Sequence, residues 1–135
     1  MRYLLDTNVC VMYLNGRSPE VCNRLSVTPL SEIVVCSVVK AELFYGAMRS
    51  NNPTRTLARQ QEFLANFVSL SFDDQAALIC GRIRGQLANL GTPIGTCDLQ
   101  IAAIALANDL TLVTHNTQEF SRVEGLQMED WQIAE

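Results

Sequence analysis

The stretch from Arg2 to Gly16, RYLLDTNVCVMYLNG, decides the fold. "RYLL" reads as a short buried strand and Asp6-Thr7-Asn8 as a polar turn. Val9, Met12 and Tyr13 then fall on one helical face, and Gly16 supplies a stop. A strand that turns directly into a helix is half of a β/α unit, and the same order recurs downstream. "EIVVCS" is a β-branched run of the kind buried in parallel sheets, with Ser37 expected to cap a helix "VVKAELFYGAMRS". After Asn51-Asn52-Pro53, "TRTLARQQEFLANF" carries Leu57, Gln61, Leu64 and Phe67 at helical spacing, and "VSLSF" offers a third strand. "DDQAALICGRIRGQLANLG" places Ala76, Cys80, Ile83, Leu87 and Leu90 on one face, ending at Gly91. The loop "TPIGT" leads into the very apolar helix "CDLQIAAIALAND", with Thr96 as its plausible cap. A strand "LTLVT", a short helix or turn "NTQEFSRV", and a tail "GLQMEDW" come after it, the only Trp docking on the domain. Strands alternating with helices predict one α/β domain over 1–135. Its central, mainly parallel sheet of four to five strands is covered by helices on both faces.

Composition narrows the function. The 135 residues, 48% apolar, suffice for a core of ordinary size. The opening apolar run is cut by Asp6, so no signal-peptide core is expected, and no apolar stretch reaches the roughly 18 residues of a membrane span. A soluble cytosolic protein is the expectation. Five cysteines, Cys10, Cys22, Cys36, Cys80 and Cys97, lie in apolar surroundings with no C-x-x-C pair. They read as small buried hydrophobes in a reducing compartment, without support for zinc. The net charge of −4 argues against a nucleic-acid partner, which ordinarily demands a basic patch. Setting aside Asp6, Glu42, Asp98 and Glu119 as a possible metal site leaves acids and bases in balance. Lys40, Arg49, Arg55, Arg59, Arg82 and Arg84 concentrate the positive charge in the middle of the chain.

Sites in open α/β sheets lie beyond the carboxyl ends of the strands. Asp6 stands there, although a helix cap would occupy the same place. Glu42 lies one turn into the helix after the second strand, in apolar company that makes a lone carboxylate costly. A solvated outer face beside Lys40 is the plainer alternative. Asp98 falls in the first turn of the most apolar helix, where the macrodipole favours it, yet it marks that element's one polar tip. Three acids at the same end of successive β/α units form a pattern. Carboxylates clustered without His or Cys suit Mg²⁺ or Mn²⁺, hard cations that prefer oxygen. Such ions activate water and stabilise in-line displacement at phosphorus, so the chemistry suggested is phosphodiester hydrolysis.

"LLDTNVCVMYL", "VVKAELFYGA", "GTPIGTCDLQIAAIAL" and "LVTHNTQEFSRVEGLQMEDW" resemble the signature blocks of PIN-domain ribonucleases, in particular the VapC toxins of type II toxin–antitoxin systems. The blocks run in the same order and spacing from residue 2 to Trp131. The resemblance implies a single PIN-like domain and a Mg²⁺-dependent endoribonuclease in which Mn²⁺ can substitute. It implies that Asp6, Glu42 and Asp98 bind metal, with Thr7 and Asn8 supporting the Asp6 end. It further implies a cognate VapB-type antitoxin that occupies the site, toxin dimers, toxin–antitoxin hetero-oligomers, and contact with operator DNA only through the antitoxin. "TPIGTCDLQIAA" and "THNTQEF" look most like the branch that cuts initiator tRNA in its anticodon stem-loop, inhibiting translation.

One departure stands out. Many PIN domains carry an aspartate just after the fourth strand, and Asn116 takes that place here. Glu119, one helical turn on, looks like the substitute acid, against the plainer reading of a surface helix residue. The expected products carry 5′-phosphate and 3′-hydroxyl ends, because the single histidine, His115, cannot supply a histidine pair for cyclic-phosphate chemistry. His115 is left a lesser role, contact with RNA by stacking or at phosphate. Arginines between Arg49 and Arg84 suit phosphate, although each alone reads as a solvated helix face. Two rivals remain. An aspartyl phosphotransferase of the haloacid dehalogenase type needs a second Asp where Asn8 stands and a downstream lysine, whereas the only lysine is Lys40. A PIN-fold binding module acting only through its antitoxin would not need Asp6, Glu42 and Asp98 together.

Overall fold

The computed structural model describes residues 1–133. β1 (Tyr3–Leu5), β2 (Ile33–Cys36), β3 (Val68–Leu70), β4 (Thr111–Val113) and β5 (Met128–Glu129) form a five-stranded sheet in the order β3-β2-β1-β4-β5. Every pairing is parallel. β1 lies at the centre, with Tyr3 beside both Ile33 and Thr111. Successive strand residues face opposite sides of a sheet, and all of Tyr3–Leu5 and Ile33–Cys36 are buried. Both faces are therefore covered, as expected for parallel strands of this composition.

The helices are α1 (Thr7–Asn15), α2 (Pro19–Val27), α3 (Ser37–Met48), α4 (Pro53–Leu64), α5 (Asp74–Leu90), α6 (Thr96–Ala107) and the single turn α7 (Thr117–Phe120). α1 stops at Gly16, whose φ of 64° lies in the left-handed region and whose N–H closes on Met12 and Tyr13 carbonyls. α6 is buried along Ile101–Ala105, which explains a sequence with no polar face. Among the described residues, no helix is long and apolar enough to cross a membrane.

Several local expectations change. The sequence reading assigns no element to residues 17–31, yet α2 lies there, and a 3-10 turn at Leu30–Glu32 takes in the Glu32 that the reading gives to the second strand. The start of α2 obeys ordinary rules: the Ser18 hydroxyl accepts from Val21 N–H at 3.2 Å and Pro19 opens the helix. α3 begins at Ser37 itself, with Cys36 in the cap position, and α6 is capped by Gly95 rather than Thr96. The buried face of α1 is Val9 and Cys10, while Tyr13 is exposed and stacks on Phe63. In α4 the inward polar residue is Gln60, donating to the Leu43 carbonyl at 2.9 Å, and not Gln61. Leu90 at the end of α5 is exposed. Cys97 is exposed too, so only Cys10 and Cys36 are fully buried thiols.

The tail docks as expected and supplies the short edge strand β5. Trp131 is 1% exposed. Its ring meets Tyr3 edge-on at 5.2 Å between centroids, Arg24 lies over its face at 4.8 Å, and its Nε1–H donates to Glu129 Oε1 at 3.1 Å. Arg24 also pairs with the same Glu129 oxygen at 3.0 Å. Truncating a buried Trp removes both apolar burial and packing. Trp131→Ala should cost ~3–5 kcal/mol in urea unfolding, and a loss below about 1 kcal/mol would show that the tail is not part of the cooperative core.

Candidate active site

Asp6 comes directly after the last residue of β1 and caps α1, as the cap reading has it, and the same residue lines the cleft. Its Oδ1 accepts from Thr7 N–H at 2.8 Å. Its Oδ2 accepts from the Thr114 hydroxyl at 2.8 Å, across from the end of β4. Asp6 is 6% exposed. Burial raises its pKa, the two hydrogen bonds pull it back, and the charge of Glu42 adds to the rise.

Glu42 does not lie on a solvated outer face. α3 turns it toward Asp6, where its Oε1 accepts from Thr7 Oγ1 at 2.6 Å. Thr7 therefore touches two carboxylates, giving its backbone N–H to one and its hydroxyl to the other. Asp98, in the first turn of α6, is half-buried and pushed up to about 6, first by burial and then by the charges of Asp6, Glu119 and Glu42. Asp6, Thr7, Asn8, Val11, Glu42, Asp98, His115 and Asn116 line one cleft of about 480 Å³. A cavity of about 590 Å³ elsewhere is walled by Tyr13, Phe63 and Phe67 among others and contains no carboxylate.

Glu119 is the exception to this convergence. It does not line the cleft: Asn116 Nδ2 donates to its Oε2 at 2.9 Å and Gly95 N–H to its Oε1 at 3.3 Å. The Asn116 hydrogen bond holds its carboxyl below the usual range. Asn116 and Glu119 thus form one rim unit, with the amide facing the cleft and the acid behind it, tied to the start of α6. None of Arg49, Arg55, Arg59, Arg82 and Arg84 lines the cleft. Arg59 donates to the Leu14 carbonyl at 2.9 Å, and Arg49 stands 5.7 Å from the Tyr45 ring centroid.

Sequence reasoning missed Thr114. Its side chain is fully buried, and its hydroxyl both donates to Asp6 and accepts from Asn116 N–H at 3.0 Å. The signal was a hydroxyl residue at the last buried position of a strand pairing with β1. It also missed Asp130, whose Oδ2 lies 2.9 Å from His115 Nδ1.

The donor set suits a hard cation. Three carboxylates face one cleft, and burial first, with their mutual repulsion added, raises the pKa values of Asp6 and Asp98. Each retains acceptor lone pairs beyond the bonds described. Among the described residues no three His, Cys, Asp or Glu side chains close to metal-ligating geometry. Mg²⁺ does not demand that closure, since it keeps several waters and is ordinarily held by one or two carboxylates.

Residues 3–126 match the PIN domain family. The chain is 37% identical over 131 residues, covering 97% of its length and 98% of the relative's, to the tRNA(fMet)-specific endonuclease VapC of Salmonella typhimurium. It is 35% identical over 131 residues, with the same coverage, to the ribonuclease VapC2 of Haemophilus influenzae. The fold matches the crystal structure of DNA-bound VapBC from Salmonella typhimurium with a TM-score of 0.92 at 37% identity, covering 97% of this chain and 98% of that one.

The repulsion has a measurable sign. A carboxyl whose folded-state pKa is raised binds its proton more tightly when folded, so stability falls as pH climbs from about 4, the unfolded value, through about 6. In chelator, Asp98→Asn should therefore melt higher than the parent at about pH 8 and no higher at about pH 4. A variant that melts lower at both would show that Asp98 stabilises the fold instead of straining it.

Proposed function

Because the chain belongs to the PIN-domain family and, within it, to the VapC ribonucleases, we propose that its carboxylate cleft cuts initiator tRNA as the toxin of a toxin–antitoxin pair. The observation that carries this reading is the meeting in one cleft of Asp6 from the β1–α1 junction, Glu42 from α3 and Asp98 from α6, which follows α5 rather than the strand that the sequence pattern suggests. The tRNA assignment is supported by near full-length similarity to a tRNA(fMet)-specific endonuclease. A VapB-type antitoxin as partner is supported by the fit to DNA-bound VapBC, as are toxin–antitoxin hetero-oligomers and contact with operator DNA through the antitoxin. A toxin homodimer rests on the family resemblance alone. The cytoplasm, where tRNA and free thiols coexist, is the location this function requires.

In this reading Asp6, Asp98 and Glu42 hold Mg²⁺, or Mn²⁺ in its place. When bound, the ion supplies Lewis-acid polarisation of the phosphate and readies water for in-line attack. The chain's own residues set the geometry. Thr7 fixes Asp6 and Glu42 relative to each other, Thr114 fixes Asp6 from the far side, and Asn8 lines the cleft without a bond to another side chain among the described residues. Asn116 faces the cleft as a neutral amide, and Glu119 acts behind it by holding that amide and adding its charge to the field at Asp98. Cleavage leaves 5′-phosphate and 3′-hydroxyl ends. Lys40, which a phosphotransferase of the haloacid dehalogenase type would bring to its aspartate, does not line the cleft.

Purified protein incubated with total tRNA in Mg²⁺, Mn²⁺ or chelator, with the new 5′ ends then mapped, should give one dominant cut in the anticodon stem-loop of initiator tRNA. Cleavage that persists in chelator would overturn the metal requirement, and cuts spread over many RNAs would overturn the substrate. Asp6→Asn should lower the cleavage rate by at least about 100-fold, in the range of losing a principal electrostatic group, while circular dichroism keeps its native shape. Titration with Mg²⁺ should raise the parent's melting temperature by mass action, adding about 1.4 kcal/mol per tenfold concentration beyond saturation. Asp6→Asn should lose that response.

A further inference from the structure

His115 is the one histidine of the chain and lines the cleft beside Asn116, yet the metal-dependent reaction gives it no part. Its side chain is 54% exposed, while Asp130, its partner, is 10% exposed. The pairing is a consequence of the sheet. Val113 of β4 lies beside Glu129 of β5, and Thr114 N–H donates to the Glu129 carbonyl at 3.0 Å. His115, the residue after Thr114, and Asp130, the residue after Glu129, then meet at 2.9 Å. Asp130 is itself anchored, its Oδ1 accepting from Gln132 N–H at 2.9 Å. On the other flank, Asn116 N–H is held by Thr114. An imidazole on a surface loop ordinarily samples several rotamers, whereas this ring is fixed from a nearly buried carboxylate.

The bond assigns the tautomer of the ring. A carboxylate oxygen accepts, so the hydrogen of the His115–Asp130 bond lies on Nδ1, and a ring that carries that single proton presents Nε2 as an acceptor. Nε2 has no hydrogen-bond partner among the described residues. Its partner must be a donor. Phosphate oxygens are not donors, and the 2′-hydroxyl is the donor that the RNA backbone carries and DNA lacks.

We infer that the Asp130–His115 pair is a substrate-gripping device, in which His115 Nε2 accepts a hydrogen bond from a ribose 2′-hydroxyl next to the scissile phosphate. The inference rests on the nuclease reading of the cleft. His115 is the contact residue, and Asp130 is a positioning residue that acts through it. The pair adds selection of RNA over DNA to a cleft whose carboxylates contact no feature peculiar to RNA.

The test measures binding and cleavage separately. Binding of a fluorescent anticodon stem-loop RNA, and of the same hairpin with 2′-deoxyriboses flanking the mapped cut, is read by anisotropy in the Asp6→Asn background. His115→Ala should weaken binding of the all-ribose hairpin roughly fivefold, the scale of one hydrogen bond, and leave binding of the deoxy hairpin unchanged. Asp130→Ala should weaken RNA binding in the same direction, and adding it to His115→Ala should cost nothing more. In the cleaving protein the His115→Ala loss should fall mainly on KM. Equal losses on the two hairpins, or none on either, would overturn the inference while leaving the nuclease reading intact. If no RNA is cleaved by the parent, the nuclease reading fails, and binding of the all-ribose hairpin compared with an all-deoxyribose hairpin of the same sequence still decides whether His115 recognises ribose.

Discussion

The structure turns on a buried negative charge at the end of its central strand. Asp6 sits where β1 gives way to α1, almost out of solvent, and a lone carboxylate there would be strongly unfavourable. Its two oxygens are satisfied by groups of opposite origin: a backbone N–H at the start of α1 and a hydroxyl from the end of β4. Both depend on the sheet. The register that sets Leu5 beside Val113 also sets Thr114 within reach of Asp6, and a slip of one residue would turn that hydroxyl to the other face. The parallel order β2-β1-β4 is thus a condition for the charge to exist, and the charge is a condition for Glu42 and Asp98 to matter.

The groups around Asp6 carry the imprint of that charge. Asp6 and Asp98 are held at raised pKa values, and beneath them burial pushes the Cys36 thiol up to about 11, with the Asp6 and Glu42 charges adding to the shift. Burial and like charge together leave the site electrostatically strained, and the divalent cation we propose there would relieve it. Glu119 runs the other way, with its carboxyl lowered because Asn116 and Gly95 both donate to it. A carboxylate already satisfied by two N–H groups is a poor candidate for a direct ligand and a good one for a brace. The relocated acid preserves negative charge near Asp98 while giving the cleft a neutral amide.

How far the sequence spoke for this can be traced residue by residue. Strand-turn-helix order was legible because buried parallel strands are continuous apolar runs; Asp6 was legible because it ends such a run, and Glu42 and Asp98 because each is an acid in the apolar company of a helix. α2 was not, although Ser18-Pro19-Glu20 carries a start signal, because the helix has a polar exterior and only Val21 and Leu25 buried. The cap positions at Cys36 and Gly95 were misplaced by one residue, since Ser and Thr propensities at caps are local preferences that a preceding extended residue can override. Thr114 and Asp130 were invisible for a deeper reason. Their importance lies in contacts across 108 and 15 residues of chain, and no local pattern marks which hydroxyl or carboxylate will find a partner in space.

A negatively charged protein acting on a polyanion then ceases to be a contradiction. The surplus acid is concentrated in the cleft and in the tail after Glu119, and under the proposed mechanism the cleft acids would be neutralised by cations that accompany RNA. Cleft and substrate would then attract a shared counterion, and affinity there would be set by the ion more than by a basic surface. What a shared ion cannot supply is discrimination, because phosphate and carboxylate look alike in every nucleic acid. Discrimination calls for polar groups with fixed direction at the rim, and two side chains that line this cleft are so held, Asn116 by Glu119 and His115 by Asp130. In both, a carboxylate orients a neighbour, and under the proposed mechanism this would divide the acidic residues of this small domain between those that bear charge for chemistry and those that hold direction for recognition.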